Sequence, residues 1–413
     1  MVRDKSTETV AIIGQGYVGL PLAMALVEAN WHVVGFDLDK DKISLLNSGL
    51  SPIEDIDNSL ILESINSGKY VPTTEIKHLL KAKIIIICVP TPLDEFHNPD
   101  LSILKNALQS IAPYIQNESL IISESTSFPG TLRNLVVKEV LNFTLIKNPT
   151  FYFAVAPERV NPGDKIWNQK NTPRLVSGLT DNALDKAIEF YETFCDEVIR
   201  VNTPEIAEAA KLLENTFRLI NISAINEFAQ LCYVAGINVN SVIDAAATKP
   251  YGFMTFKPGA GAGGHCIPVD PVYLVKWSEK FQFKFKSLEN AIRVNSEMPS
   301  YIASRIKLLL GEKINPKVLI LGIGYKSGLS DTRETPSEKL FDILENFGIS
   351  AKWYDPLVSQ WTKEKCLSLD EKFDAAILIT NQPGMDINQL LKNRVPILDC
   401  TNTYQNVDGI IQL

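Results

Sequence analysis

Along the first fifty residues the apolar positions change rhythm. An apolar run from Val10 to Ile13 breaks at a cluster of glycines; apolar residues then recur at helical spacing through "LPLAMALVEA"; a second run, "HVVGF", stops at Asp37. This reads as strand, turn, helix, strand. Further apolar runs lie in "AKIIIICVPTP", "SLIISESTS" and "FYFAVAPERV", separated by helical stretches. Strands alternating with helices predict a parallel, doubly wound sheet, whose ligands sit beyond the carboxyl ends of the strands. The loops "VPTP", "STSFPG" and "APERVNPG" leave such ends, which makes Thr91, Thr126 and Glu158 candidate site residues by position.

From Thr203 to about Ala235 the pattern stays helical, with Thr203 as a cap, Pro204 in the first turn and Gly236 as the stop. So long a helix predicts a spine or a dimerisation element. The last hundred residues partly echo the first fifty: "KVLILGIGYKSGLSDTRETPSEKLFDILENFGISAKWYDP" gives strand, turn, helix and a strand ending at Asp355. The fold class expected is α/β, with two Rossmann-like doubly wound parallel-sheet domains joined by a long central helix. The expected divisions are 1–200, 201–300 with the thiol loop described below, and 301–413.

The first glycine cluster has the spacing Gly14-x-Gly16-x-x-Gly19. Gly14 permits the tight turn, Gly16 lets the backbone approach a pyrophosphate, and Gly19 lets the helix pack closely on the strand. Asp37 suits the ribose hydroxyl pair and would repel a 2'-phosphate, so NAD is expected rather than NADP. In the second half Gly322-x-Gly324 lacks the third glycine at that spacing, and "SGLSDTRE" intervenes before the helix. That turn is not built for a dinucleotide; with Lys326 and Arg333 it suits another phosphate ligand.

Composition narrows the classes. The 413 residues are 45% hydrophobic and 21% charged with a net charge of -8, so there is no basic footprint for nucleic acid. The start of the chain lacks the pattern of a signal peptide, and "IIIICVP" is far shorter than the roughly 20 apolar residues of a membrane helix. A cytoplasmic protein is expected. Six cysteines without CxxC spacing and four histidines predict reduced thiols and no metal site.

One thiol stands apart. Cys266 lies in "GAGAGGHCIPVDP", where glycines invite close ligand approach and a neighbouring cation or helix start would lower the thiol pKa from about 8.5. The alternative is a buried structural thiol. His265 is no partner for it, since neighbours in an extended loop point opposite ways. Asp270 is a candidate base or water-holder, or else a helix cap. Lys211 and Asn215, four apart, share one face of the long helix; a solvated ion pair of Lys211 with Glu208 is the competing reading.

NAD, a thiol and a lysine-amide pair fit a definite reaction. An alcohol carbon loses hydride to give an aldehyde; a thiolate adds to make a thiohemiacetal; a second hydride loss gives a thioester, which water cleaves to an acid. Lysine and asparagine would stabilise the oxyanions formed on the way. A single-hydride dehydrogenase of the 3-hydroxyacid type and a non-catalytic nucleotide-sugar sensor are the rival readings.

At this point the blocks "GQGYVGLPLA", "VPTP", "EST", "PERV", "EAAKLLENTFR", "GGHCIPVDP" and "GYKSGLSDTRETPS", in this order, resemble the UDP-glucose/GDP-mannose dehydrogenase family over essentially the whole chain. The resemblance implies a UDP-sugar substrate, Cys266 as nucleophile, Lys211 and Asn215 as oxyanion stabilisers, and Asp270 and Thr126 as organisers of water. It implies NAD contacts from Gly14, Gly16, Val18, Asp37, Lys42, Thr91, Thr126 and Arg333. It places Glu158, Arg159, Val160, Arg218, Gly261, Tyr325 and Lys326 in the UDP-sugar site, and the UDP-binding part in 301–413. "GGHCIPVDP" is similar to the branch acting on UDP-N-acetylhexosamines, those of N-acetylglucosamine in particular, with N-acetylmannosamine as the near alternative. Where UDP-glucose enzymes carry a second glutamate after the position of Glu158, this chain has "RVNPG". A homodimer or higher homo-oligomer serving surface polysaccharide synthesis is implied.

Overall fold

The computed structural model describes residues 8–164, 166–366 and 368–413. The chain forms two compact units, Met1–Leu213 and Glu214–Leu413. In the first, eight strands form one sheet: β1 (Thr9–Ile13), β2 (His32–Phe36), β3 (Tyr70–Thr73), β4 (Ala82–Ile87), β5 (Leu120–Ser123), β6 (Tyr152–Val155), β7 (Arg174–Gly178) and β8 (Val198–Arg200). Their spatial order is β3-β2-β1-β4-β5-β6-β7-β8, parallel throughout except between β6 and β7. Order reverses between β1 and β4, and the crevice beyond their carboxyl ends is where such sheets bind ligands.

The apolar runs are continuous because both faces of the sheet are covered. Val10 and Ile12 of β1 join one buried cluster with Ile84 and Ile86, whereas Ala11 and Ile13 join another with Ile85 and Ile87. Successive side chains of a strand point to opposite faces, so an unbroken run fills two cores.

The second unit repeats the device with β9 (Lys317–Leu321), β10 (Ser350–Tyr354), β11 (Ala375–Leu378), β12 (Ile397–Asp399) and β13 (Ile410–Gln412), in the order β10-β9-β11-β12-β13, all parallel. Val318 and Ile320 face one core, Leu319 and Leu321 the other. The helix Pro204–Ala235 runs from the first unit into the second. Thr203 Oγ1 accepts from the backbone N–H of Ile206 at its start, and Gly236 takes φ +67 at its end, where a left-handed residue stops a helix. Among the described residues no helix is long and apolar enough to cross a membrane.

Candidate functional site

The glycine turn after β1 assigns each glycine a separate task. Gly14 has φ +99, and a Cβ there would lie 2.7 Å from the carbonyl oxygen of Cys88. A Cβ on Gly19, the first residue of the helix Gly19–Glu28, would lie 1.9 Å from the carbonyl oxygen of Gly14. Gly16 is different, with nothing within 4 Å of a built Cβ. The helix start beside it carries N–H groups that lack intrahelical partners, so this opening fits a pyrophosphate. Val18, half-buried, precedes Gly19.

Asp37 follows β2. Its carboxylate accepts from the backbone N–H of Gln15 at 2.8 Å, from that of Asp39 at 3.0 Å, and from Lys42 Nζ at 2.8 Å. Burial raises its pKa, yet the bonds from Lys42, Asp39 and Gln15 outweigh that and hold the carboxyl below its ordinary value. Gln15, absent from the sequence-level candidates, pins the turn from behind: its amide donates to the carbonyls of Ile12 and Gly14 and accepts from Tyr70 Oη at 2.6 Å.

Three loops leave the strand ends, as the apolar pattern predicts. Thr91 follows β4 and is buried, Thr126 follows β5 and is half-buried, and Glu158 follows β6 and is buried. Glu158 folds its own loop, its Oε1 accepting from the backbone N–H of Arg159 and of Val160 at 2.6 and 2.5 Å. Arg159 Nη1 donates to the carbonyl of Pro173 at 2.8 Å.

Beneath these loops lies a charged network that the sequence reading does not anticipate. Arg174, the first residue of β7, is 3% exposed and pairs with Glu124 Oε1 at 2.9 Å and with Glu158 Oε2 at 3.6 Å. It also donates to Gln169, which donates to Glu158 Oε2 at 2.9 Å. Tyr191 Oη donates to Glu124 at 2.5 Å, and the guanidinium sits 5.1 Å from the Tyr191 ring. Burial pushes Glu124 up to about 7 against the pull of Arg174. Glu158 meets the same burial, but Arg174, the Val160 N–H and Gln169 hold it below its ordinary value. The sequence-level signal was an arginine opening the strand "RLVSG".

Glu208 corrects an expectation. It is buried, not solvated, and its carboxylate accepts from the backbone N–H of Gly130 at 2.5 Å and of Leu132 at 2.9 Å. Burial raises it to about 7 despite those bonds. It thereby ties the "STSFPG" loop to the helix that carries Lys211, itself buried.

In the second unit the thiol loop is held by asparagines. Asn402 Nδ2 donates to the carbonyl of Pro258 at 3.1 Å, Asn226 Oδ1 accepts from the Gly259 N–H at 2.9 Å, and Asn295 bonds both the N–H and the carbonyl of Ala262 at 2.7 and 3.2 Å. Cys266, half-buried, sits in a turn and not in the extended loop expected; its carbonyl accepts the Asp270 N–H at 2.9 Å, one turn ahead of the helix Asp270–Glu279. Asp270 is 1% exposed and is the first helical residue, not the cap. Its Oδ2 accepts from Asn215 Nδ2 at 2.6 Å, so two predicted residues meet. Arg218 is exposed on the long helix.

The loop glycines are constrained from within the second unit. Gly261 has φ +111, and Gly263 and Gly264 are packed by the protein itself: Cβ atoms there would lie 2.9 and 2.6 Å from Tyr325. Burial pushes up the thiols of Cys88, Cys195, Cys366 and Cys400, which disfavours them as thiolates.

The second glycine turn is filled where the first is open. A Cβ on Gly324 would lie 2.4 Å from the carbonyl oxygen of Leu329 and 2.6 Å from Gln382 Nε2. Asp355 turns inward, accepting from the N–H groups of Ile323 and Gly324 at 2.9 and 3.1 Å. Beyond β9, β11 and β12 a cavity of about 330 Å³ is lined by Tyr325, Lys326, Ser327, Thr380, Asn381 and Thr401, among others. Arg333 is bound to Asp331 by Nε and Nη2, at 3.0 and 2.6 Å. No group of three potential metal ligands occurs among the described residues.

Comparison with known proteins agrees with both halves. Residues 8–195 match the NAD binding domain of the UDP-glucose/GDP-mannose dehydrogenase family, 205–297 its central domain and 319–406 its UDP binding domain. A UDP-N-acetyl-D-mannosamine dehydrogenase of Pyrococcus horikoshii is 35% identical over 91% of this chain and 89% of its own. A UDP-N-acetyl-D-glucosamine 6-dehydrogenase of Pseudomonas aeruginosa is 33% identical over 85% of this chain and 83% of its own. The solved structure of the UDP-D-ManNAc dehydrogenase from Pyrococcus horikoshii superposes with a TM-score of 0.88 at 33% identity, covering 98% of each chain.

Proposed function

This chain belongs to the UDP-glucose/GDP-mannose dehydrogenase family, and from that premise we propose that it oxidises the C6 hydroxyl of a UDP-N-acetylhexosamine to the acid by two hydride transfers to NAD, with Cys266 as nucleophile. The observation that carries the reading is the half-buried Cys266 one helical turn before Asp270, whose buried carboxylate holds the Asn215 amide at 2.6 Å. NAD, when bound at Gly14, Gly16, Gly19 and Asp37, supplies the hydride acceptor. Cys266 adds to the aldehyde carbon, and the oxygen of that carbon becomes an oxyanion that Lys211 and Asn215 stabilise. Asp270 fixes the Asn215 amide and orients the water that cleaves the thioester, while Thr126 assists with that water. Glu158, ionised and engaged with backbone N–H groups, shapes the sugar-binding loop.

Relatives named for N-acetylmannosamine and for N-acetylglucosamine are both near in sequence. The "GGHCIPVDP" block supports glucosamine and the slightly higher identities support mannosamine; the two differ only in the configuration at C2. Following NADH with UDP-GlcNAc, UDP-ManNAc, UDP-GalNAc and UDP-glucose separates them. About two NADH per sugar are expected, and a ratio near one points to a single-hydride dehydrogenase instead. The exposed Phe217, Leu231 and Val234 of the long helix support a homodimer.

Asp37→Ala is expected to weaken NAD binding by about 10- to 100-fold, the worth of about 1.5–3 kcal/mol for hydrogen bonds to a charged group. Lys42 loses its partner in that variant, so selectivity shifts towards NADP. Titration calorimetry with both dinucleotides checks this; an unchanged NAD affinity would remove Asp37 from the site.

A further inference from the structure

Hydrogen bonds hold the thiol loop at several points ahead of the thiol. They act at Pro258, Gly259 and Ala262, and the Gly264 N–H donates to the Arg333 carbonyl at 3.0 Å. Past the thiol, the Asp270 N–H donates to the Cys266 carbonyl at 2.9 Å. Between these points the chain must turn, and Gly264 does so at φ +84, where a side chain is strained. The Tyr325 ring lies against this stretch: a Cβ on Gly264 would come within 2.6, 2.8 and 2.9 Å of three of its carbons. On the neighbouring Gly263 a Cβ would meet Tyr325 Cβ at 2.9 Å and the Glu334 carbonyl at 2.8 Å.

The main chain of Tyr325 is held, because its N–H donates to the Asp331 carbonyl at 2.9 Å in the segment that follows β9. It also lines the cavity shared with Lys326 and Ser327. A rigid aromatic ring packed on two glycines sets a backbone path more closely than a flexible side chain could, because it leaves only two torsions free. We propose that Tyr325 is a positioning residue, whose ring fixes the turn that presents the Cys266 thiol and joins that turn to the cavity beyond β9. The glycines at 263 and 264 are then required by the ring.

The turnover part of this inference rests on Cys266 being the nucleophile; the part about the turn does not. Tyr325→Ala and Tyr325→Phe in the full chain are compared by the rate of Cys266 alkylation with iodoacetamide, read by mass spectrometry of the Cys266 peptide without substrate, and by kcat and KM for the UDP-sugar. Removing the ring loosens the turn. Alkylation is therefore expected to rise by about fivefold or more while kcat falls by about 100-fold, the cost of roughly 1 Å of misplacement. Phenylalanine keeps the ring and should be alkylated within about twofold of the parent rate. Gly264→Ala, which presses a Cβ onto the same ring, should fail in the same two directions and serves if Tyr325→Ala does not fold. Alkylation unchanged in a folded Tyr325→Ala chain, or Tyr325→Phe alkylated as fast as the alanine variant, overturns the proposal. If no UDP-sugar is oxidised but alkylation responds as stated, the proposed reaction fails and the role of Tyr325 in the turn stands.

Discussion

Replacing Cys266 by serine is expected to lower acid formation by at least about 1,000-fold while NAD binding stays within a factor of about two. A thiol ionises near neutrality when its surroundings favour it, whereas a serine hydroxyl needs a base to become nucleophilic. The serine variant therefore cannot readily form the covalent adduct that prepares the second hydride loss. Quantifying the uronic acid by chromatography, beside calorimetric titration of NAD, tests both halves. Acid made at the parent rate would end the covalent route.

The largest loss of stability is expected from Arg174→Met. Arg174 is 3% exposed and compensates two buried carboxylates, Glu124 and Glu158. Removing one partner from such a network leaves uncompensated buried charge and costs about 3–5 kcal/mol. At about 2–4 °C per kcal/mol for a unit of this size, the melting transition of the first unit should fall by about 6–20 °C. Arg174→Lys keeps a charge but not the planar fork, so it should lie between the two. Thermal melts of the three chains decide the matter, and a methionine variant as stable as the parent would show that the network contributes nothing.

Most of the fold was legible in the sequence because its signals are local. Unbroken apolar runs such as "IIII" belong to strands buried on both faces, and a single helical period from Thr203 onward leads to the helix Pro204–Ala235. The glycine turn could be read residue by residue, since the tasks of Gly14 and Gly19 are fixed by neighbours on the adjoining strand and helix. The Glu208 reading failed for a different reason. Spacing brought Glu208 near Lys211 on one helix, but its partners are backbone N–H groups more than seventy positions away.

The sequence by itself thus determined the alternation of strands and helices, the dinucleotide turn, the acid after β2 and the one thiol in a glycine loop. Only the tertiary structure decided that Asp270 holds Asn215, that Arg174 lies between Glu124 and Glu158, that Gly16 is open while Gly324 is filled, and that the glycines before Cys266 receive the Tyr325 ring. Periodicity and backbone conformation are written in neighbouring residues. Which buried charge meets which, and whether a glycine faces a ligand or a side chain, depends on residues that folding brings together from distant parts of the chain.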